Sequence, residues 1–283
     1  MIASHNCSLQ VVQLMLRANN VFELVGNLSP QGTRTEGALD YYFSKKEVCS
    51  FIKHAAEVLE KDTNDRDKVA TAGKLFMLAG NFRALLRLLS KLLSPATTDV
   101  SKLFSPDRTG VQTDGDKKYW YEQAQGFFNT YFDNGPTHVS DCVIKNKDTD
   151  AVDTCKALMM LSYCFDRFGN GAHESARSIL DRLDIIPKTL SDVSSKEARY
   201  RTLDKLFQEA IPAALEATLR SLRHEYYHLK SSYGSKDDVR NALIQVKERA
   251  KAIVTFAGLI APNVDPDKRK YLSQLAQWEA EMI

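Results

Sequence analysis

The sequence predicts an all-α protein, an irregular α-solenoid of stacked antiparallel helices. Three observations predict it. Between Lys45 and Ile283 the apolar residues recur at spacings of three and four, no stretch keeps the period-two alternation of a strand, and short turns separate the periodic segments. A helix with that spacing carries one apolar stripe, and short turns set consecutive stripes against each other. The 283 residues can bury enough surface to fold without disulfides or metal staples, and residues 1–283 are read as a single solenoid.

Taken in order, Lys45 to Lys61 reads as an amphipathic helix with Val48, Phe51, Ile52, Ala55, Val58 and Leu59 inward. Asp65 to Ser94 reads as a helical hairpin, because Ala79-Gly80-Asn81 holds the glycine that ends one helix before the next begins. Its second helix places Leu85, Leu88, Leu89, Leu92 and Leu93 inward, with Arg83, Arg87 and Lys91 in a row on the other side. Pro95 to Lys117 is rich in Ser, Thr, Asp, Gly and Pro, keeps no period, and is the longest loop.

Helix resumes over Lys118 to Phe132, Thr149 to Phe168 and Ala172 to Leu183, the last two joined by Gly169-Asn170-Gly171. Ser195 to Lys230 repeats its apolar positions throughout, and Pro212 predicts a kink or break near Ile211. Ser235 to Ile260 follows. A last helix opens on Asp265 and Pro266, bound down by Leu272, Leu275 and Trp278. Stacking is also suggested by an internal echo: Leu14 to Val25 can be laid over Leu75 to Leu86 with an Ala-x-Asn turn in register, without a fixed repeat length.

Composition removes several function classes. With 38 Lys plus Arg against 36 Asp plus Glu, the net charge of +2 is too small to drive nucleic-acid binding through phosphate neutralisation. No stretch reaches the roughly 18 apolar residues of a membrane span. Cys7, Cys49, Cys142, Cys155 and Cys164 are scattered, with no CxxC pair for zinc or dithiol chemistry, and read as reduced, mostly buried thiols. No P-loop, GxGxxG or GxSxG element is present, and no cofactor is implied.

One motif invites catalysis. His224-Glu225-Tyr226-Tyr227-His228 spells HExxH, which on a helix sets two imidazoles on one face for zinc with a glutamate beside a bound water. Glu248 lies twenty residues after His228, where a third ligand from the next helix could sit. Three arguments oppose a zinc hydrolase. The four-letter pattern arises by chance in on the order of one per cent of such chains. Arg223 and Lys230 flank it, which marks a solvated face, and no strand is available to hold an extended substrate. His224, Glu225, His228 and Glu248 are therefore read as no metal site, with Tyr226 and Leu229 serving the core.

Two other features have a plain reading and a functional one. Tyr119, Trp120, Tyr121, Phe127, Phe128, Tyr131 and Phe132 read first as core packing and second as a peptide groove. The row Arg83, Arg87, Lys91 reads first as a solvated face and second as a contact for an acidic partner or lipid headgroups.

Four blocks resemble the nucleoporin interacting component family: LAGNFRALLRLLSKLLSP (Leu78 to Pro95), FDRFGNGAHESARSILDRLDIIP (Phe165 to Pro187), the stretch Glu197 to Lys230, and RAKAIVTFAGLI (Arg249 to Ile260). In order, they span about two-thirds of the chain. The resemblance implies the C-terminal α-solenoid of an inner-ring scaffold nucleoporin, without chemistry of its own, placed at the nuclear pore complex and nuclear envelope. It implies binding to the small membrane-tethering linker nucleoporin and to other inner-ring nucleoporins. It carries over no contact residue, and the family's pattern does not keep both histidines of HExxH. Family members begin with a partner-binding helix and a coiled coil, so the sequence is expected to be a fragment or a shortened member. A helical adaptor of another complex is the alternative among binding proteins.

Overall fold

Ser44, Asp65 and Thr137 each sit in extended backbone and accept, through a side-chain oxygen, a hydrogen bond from an amide in the first turn that follows. Caps of this kind satisfy donors that a helix cannot pair internally. They open the helices Lys45–Leu59, Arg66–Leu78 and His138–Lys145. The computed structural model describes residues 2–18, 20–62, 65–95, 100, 115–133, 135, 137–231, 236–261 and 275–281. Among these the secondary structure is helical, apart from one isolated antiparallel bridge between Leu28 and Arg34.

The chain divides into two compact units, Met1–Leu92 with Tyr119–Cys155, and Leu93–Lys118 with Lys156–Ile283. In the first, the helix Ile2–Arg17 packs on Lys45–Leu59, which packs on Arg66–Leu78. Val48, Ile52, Ala55 and Ala56 are wholly buried between them. The sequence placed Val58 on this inward face, but it is 37% exposed and Ala56 takes the position. Packing against two neighbouring helices sets the facing.

The turn at Gly80 is as read. Asn81 N–H bonds Phe76 O at 2.9 Å and Gly80 N–H bonds Met77 O at 3.0 Å. This double closure needs a left-handed residue, and Gly80 supplies it at φ +66°. The next helix, Phe82–Leu93, buries Phe82, Leu85, Leu86, Leu88, Leu89 and Leu93, while Leu92 is only half-buried. The internal echo has a structural basis: Asn20 caps Val21–Val25 through Phe22 N–H, and Asn81 accepts from Ala84 N–H.

Gly115–Phe128 continues into a π-turn, Asn129–Asp133, so helix begins a little before the expected Lys118. Trp120, Phe127, Phe128 and Tyr131 are buried, in keeping with the core reading of the aromatic cluster. Sequence spacing missed the eight-residue helix His138–Lys145, which has only Val139 and Val143 as large inward residues. It closes with the same double bond as Gly80, but around Lys147 at φ 59°.

In the second unit, His173–Leu183 follows Thr149–Gly169 after the Gly171 turn. The interruption predicted near Ile211 lies instead at Leu203–Asp204, between the helices Val193–Thr202 and Lys205–Ser231. Asp204 accepts from Leu206 N–H at 2.9 Å and starts the second helix. Gln208 reaches back to the carbonyls of Tyr200 and Leu203 at 3.0 and 2.9 Å, satisfying the end of the first. Pro212 lies inside Lys205–Ser231, where it forgoes a single helical bond. Lys236–Ile260 packs on both Val193–Thr202 and Lys205–Ser231.

Leu275 and Trp278 are buried on the last helix, 275–281, as expected. Leu272 and the Asp265-Pro266 start lie outside the described residues, as does most of the Pro95 to Lys117 loop.

Candidate partner-binding surface

The helix Lys205–Ser231 carries the HExxH residues. His224 and His228 are exposed, and the intervening Tyr226 is buried at 5% exposure. Glu225 forms an ion pair with Arg177 of His173–Leu183, and the His224 ring lies 5.2 Å from that of His173. Glu248 is exposed on Lys236–Ile260. Among the described residues no three His, Cys, Asp or Glu side chains come together as a metal-binding group. The glutamate that would activate water is engaged by a guanidinium instead.

Four cysteines with described side chains are free thiols. Cys155 and Cys164 are buried, while Cys49 and Cys142 are half-buried, fewer than the mostly buried set read from the sequence. Burial pushes the Cys155 thiol up to about 12, against a weaker opposing hydrogen bond with Ser90, and burial raises Cys164 as well. A thiol held protonated is a poor nucleophile and a poor metal ligand.

Arg83, Arg87 and Lys91 are exposed as read, and part of the row is spent internally. Arg83 pairs with Asp148 at 3.1 Å and Asp150 at 2.8 Å, and Lys91 with Glu60 at 2.7 Å. These contacts join segments of the first unit and leave less of the row for an acidic partner.

The first unit also holds an open cleft of about 580 Å³. Three elements build it by helical spacing. Lys74, Met77 and Leu78 project from Arg66–Leu78 at i, i+3, i+4, and Gln123, Gly126, Phe127 and Thr130 repeat the pattern along Gly115–Phe128 and its π-turn. Phe22, Asn27 and Leu28 come from Val21–Val25 and the loop after it. The floor is aromatic, with Phe127 and Tyr131 buried at 5.4 Å between ring centroids. The rim is polar: Lys74 Nζ stands 5.8 Å from the Phe22 ring, and Glu122 and Gln123 are exposed. At Gly126 a Cβ would meet nothing within 4 Å, so this stretch of helix is bare backbone towards the cleft.

The Asn27–Leu28 wall is fixed from below. Asn27 and Thr35 pair across the loop at 2.8 and 2.9 Å, and Arg34 makes a two-pronged bond with Asp40 at 2.9 and 2.5 Å. Arg34 also donates to Val25 O at 2.6 Å, and Gly37 N–H donates to Asp40 at 2.7 Å. The Arg34 hydrogen bond holds the Asp40 carboxyl below its ordinary range, and Asp40 raises Arg34 in return. A buried pair satisfied on both sides makes the loop a rigid wall.

No sequence motif marks this cleft, because its residues come from three distant stretches. The aromatic run Phe127 to Tyr131 was its one legible part. An apolar floor, a polar rim and exposed backbone suit a short amphipathic segment with one or two large anchors. Among the described residues no helix is long and apolar enough to cross a membrane.

Comparisons with known proteins bear on the family and the fold. Residues 3–268 match the Nic96 family profile, described as Nup93/Nic96. The chain is 25% identical over 272 residues to the nuclear pore complex protein Nup93 of Danio rerio, covering 94% of this chain and 30% of that protein. It is 22% identical over 288 residues to the meiotically up-regulated gene 87 protein of Schizosaccharomyces pombe, covering 98% of this chain and 32% of that one. The chain thus spans about a third of the length of the curated relatives it matches. The crystal structure of Chaetomium thermophilum Nic96 SOL superposes with a TM-score of 0.69 at 14% identity, over 96% of this chain and 40% of that one. The shared fold is the all-α, irregular solenoid read from the sequence. With nearly its whole length matched, the chain belongs to the Nup93/Nic96 family.

Proposed function

We propose that the chain is a structural, non-catalytic part of the nuclear pore complex scaffold at the nuclear envelope. There it supports nucleocytoplasmic transport by holding other inner-ring nucleoporins. The family match over residues 3–268 carries this reading, and the helical fold shared with Nic96 SOL supports it. The partner is the small membrane-tethering linker nucleoporin, a linear segment of which docks its apolar anchors in the cleft of Phe22, Met77, Gly126 and Phe127.

Calorimetric titration with that nucleoporin from the same organism tests the assignment, with saturable one-to-one heat as the expected result. Gly126→Trp places a large ring in the open space and is expected to weaken binding at least about tenfold while leaving the melting curve close to wild type. Heat that is unchanged by Gly126→Trp would move the docking site elsewhere, and absence of heat would remove this partner. Elemental analysis tests the enzyme alternative: stoichiometric zinc lost on His224→Ala would overturn the non-catalytic reading.

A further inference from the structure

Helix His138–Lys145 of the first unit carries a histidine and a cysteine that lie outside the HExxH motif. His138 and Cys142 stand at i and i+4, so both project from one face. His138 Nε2 and Cys142 Sγ lie 3.6 Å apart, and among the described residues neither side chain has another hydrogen-bond or ion-pair partner. Their support is stiff. Val139 and Val143 are 0% and 1% exposed, which pins the opposite side of the helix. Thr137 Oγ1 accepts from Ser140 N–H at 3.2 Å, and Ser140 Oγ accepts from Thr137 N–H at 2.8 Å, so the first turn is capped reciprocally. Thr137 Oγ1 also donates to Tyr131 O at 2.8 Å, tying the helix start to the preceding π-turn. Solvent reaches the pair, because His138 is exposed and Cys142 half-buried.

We propose that His138 and Cys142 form a two-ligand binding site for a thiophilic divalent cation of the zinc class, with water in the remaining coordination positions. A tetrahedral zinc, about 2.0–2.1 Å from nitrogen and about 2.3 Å from sulfur, holds the two donors roughly 3.5–3.6 Å apart. The helix already sets that separation. A thiolate with an imidazole suits zinc, whereas magnesium and calcium take oxygen donors. On binding, the thiol proton leaves to solvent, and bonds form from Sγ and Nε2 to the metal. Among the described residues no third His, Cys, Asp or Glu joins the pair, so the site is open on its solvent side. With half the donors of a structural zinc site, it is expected to bind with a Kd on the order of 1–100 μM.

Cobalt(II) is the probe, because a cobalt–thiolate bond adds a charge-transfer band in the near ultraviolet. The full chain, reduced with a phosphine and then freed of it, is titrated with cobalt, and the cobalt is displaced with zinc, the tighter-binding ion. Wild type is expected to give a saturable band. Cys142→Ser abolishes it, His138→Ala weakens cobalt binding at least about tenfold, and Cys49→Ser, which removes the other half-buried thiol, changes neither. Saturating zinc should also slow iodoacetamide labelling of Cys142 at least about tenfold, without protecting Cys49, as read by peptide mapping. Should Cys142→Ser lose its far-UV circular dichroism, His138→Ala and the labelling carry the test. A band that survives Cys142→Ser, equal affinity in wild type and His138→Ala, or a Cys142 that zinc does not protect overturns the proposal. Zinc held here is retained by His224→Ala, so the result is distinguishable from that for HExxH.

Discussion

Replacing Asp40 by Ala is expected to destabilise the first unit by about 3 kcal/mol. Arg34 and Asp40 side chains are 10% and 6% exposed, so removing the carboxylate strands a guanidinium where water scarcely reaches. Breaking one partner of such a pair costs roughly 3–5 kcal/mol, and the lower end applies because Arg34 keeps its bond to Val25 O. At roughly 2–4 °C per kcal/mol the melting temperature falls by about 6–12 °C. The double variant Arg34→Met, Asp40→Leu leaves no lone buried charge, so it loses less than the sum of the single changes. Because the folded Asp40 carboxyl titrates below its unfolded value of about 3.9, its contribution is complete above that pH and is lost as pH falls through the folded value. The gap between wild type and Asp40→Ala therefore narrows below about pH 4. Thermal unfolding of wild type, Asp40→Ala, the single variants Arg34→Met and Asp40→Leu, and the double variant by circular dichroism, from about pH 3 to pH 7, measures all of this. Additivity of the single variants to within about 0.5 kcal/mol, or a gap that does not change with pH, refutes the reasoning.

Lys147 occupies a left-handed turn at φ 59°, a conformation that costs a side-chain-bearing residue roughly 1–2 kcal/mol. Lys147→Gly should stabilise by about 1 kcal/mol, and a lower denaturation midpoint would contradict the turn geometry. Gly126→Ala adds a methyl in open space within a helix and should stabilise by about 0.5–1 kcal/mol, measured by urea titration. For the thiols, alkylation at about pH 8 followed by peptide mapping should label Cys49 and Cys142 in the native chain, but Cys155 and Cys164 only after unfolding. Native labelling of Cys155 would show that its burial is not maintained in solution.

Local chemistry was the legible part of this chain. The Gly80 turn, the Ala-x-Asn echo at Asn20 and Asn81, and the leucine face of Phe82–Leu93 each follow from a few adjacent residues, and the structure keeps them. Pro212 misled because the chain already breaks eight residues earlier, where Asp204 caps a new helix. The helix His138–Lys145 escaped notice because two buried valines make too short a period to stand out. Position 58 was assigned inward by spacing alone, but spacing fixes a stripe only to within a residue or so, and the neighbouring helices choose its centre.

By itself the sequence determined that the chain is helical, where most of its turns fall, and to which family its blocks belong. Those properties depend on residues close in the chain, whose hydrogen bonds and apolar spacing act over one or two turns. Only the tertiary structure decided what the surface offers: the cleft joining Phe22, Met77 and Phe127, the engagement of Glu225 by Arg177, and the seating of Trp278 under Arg220. Each of these brings together residues tens of positions apart, and their meeting is set by how helices pack rather than by anything a local pattern encodes.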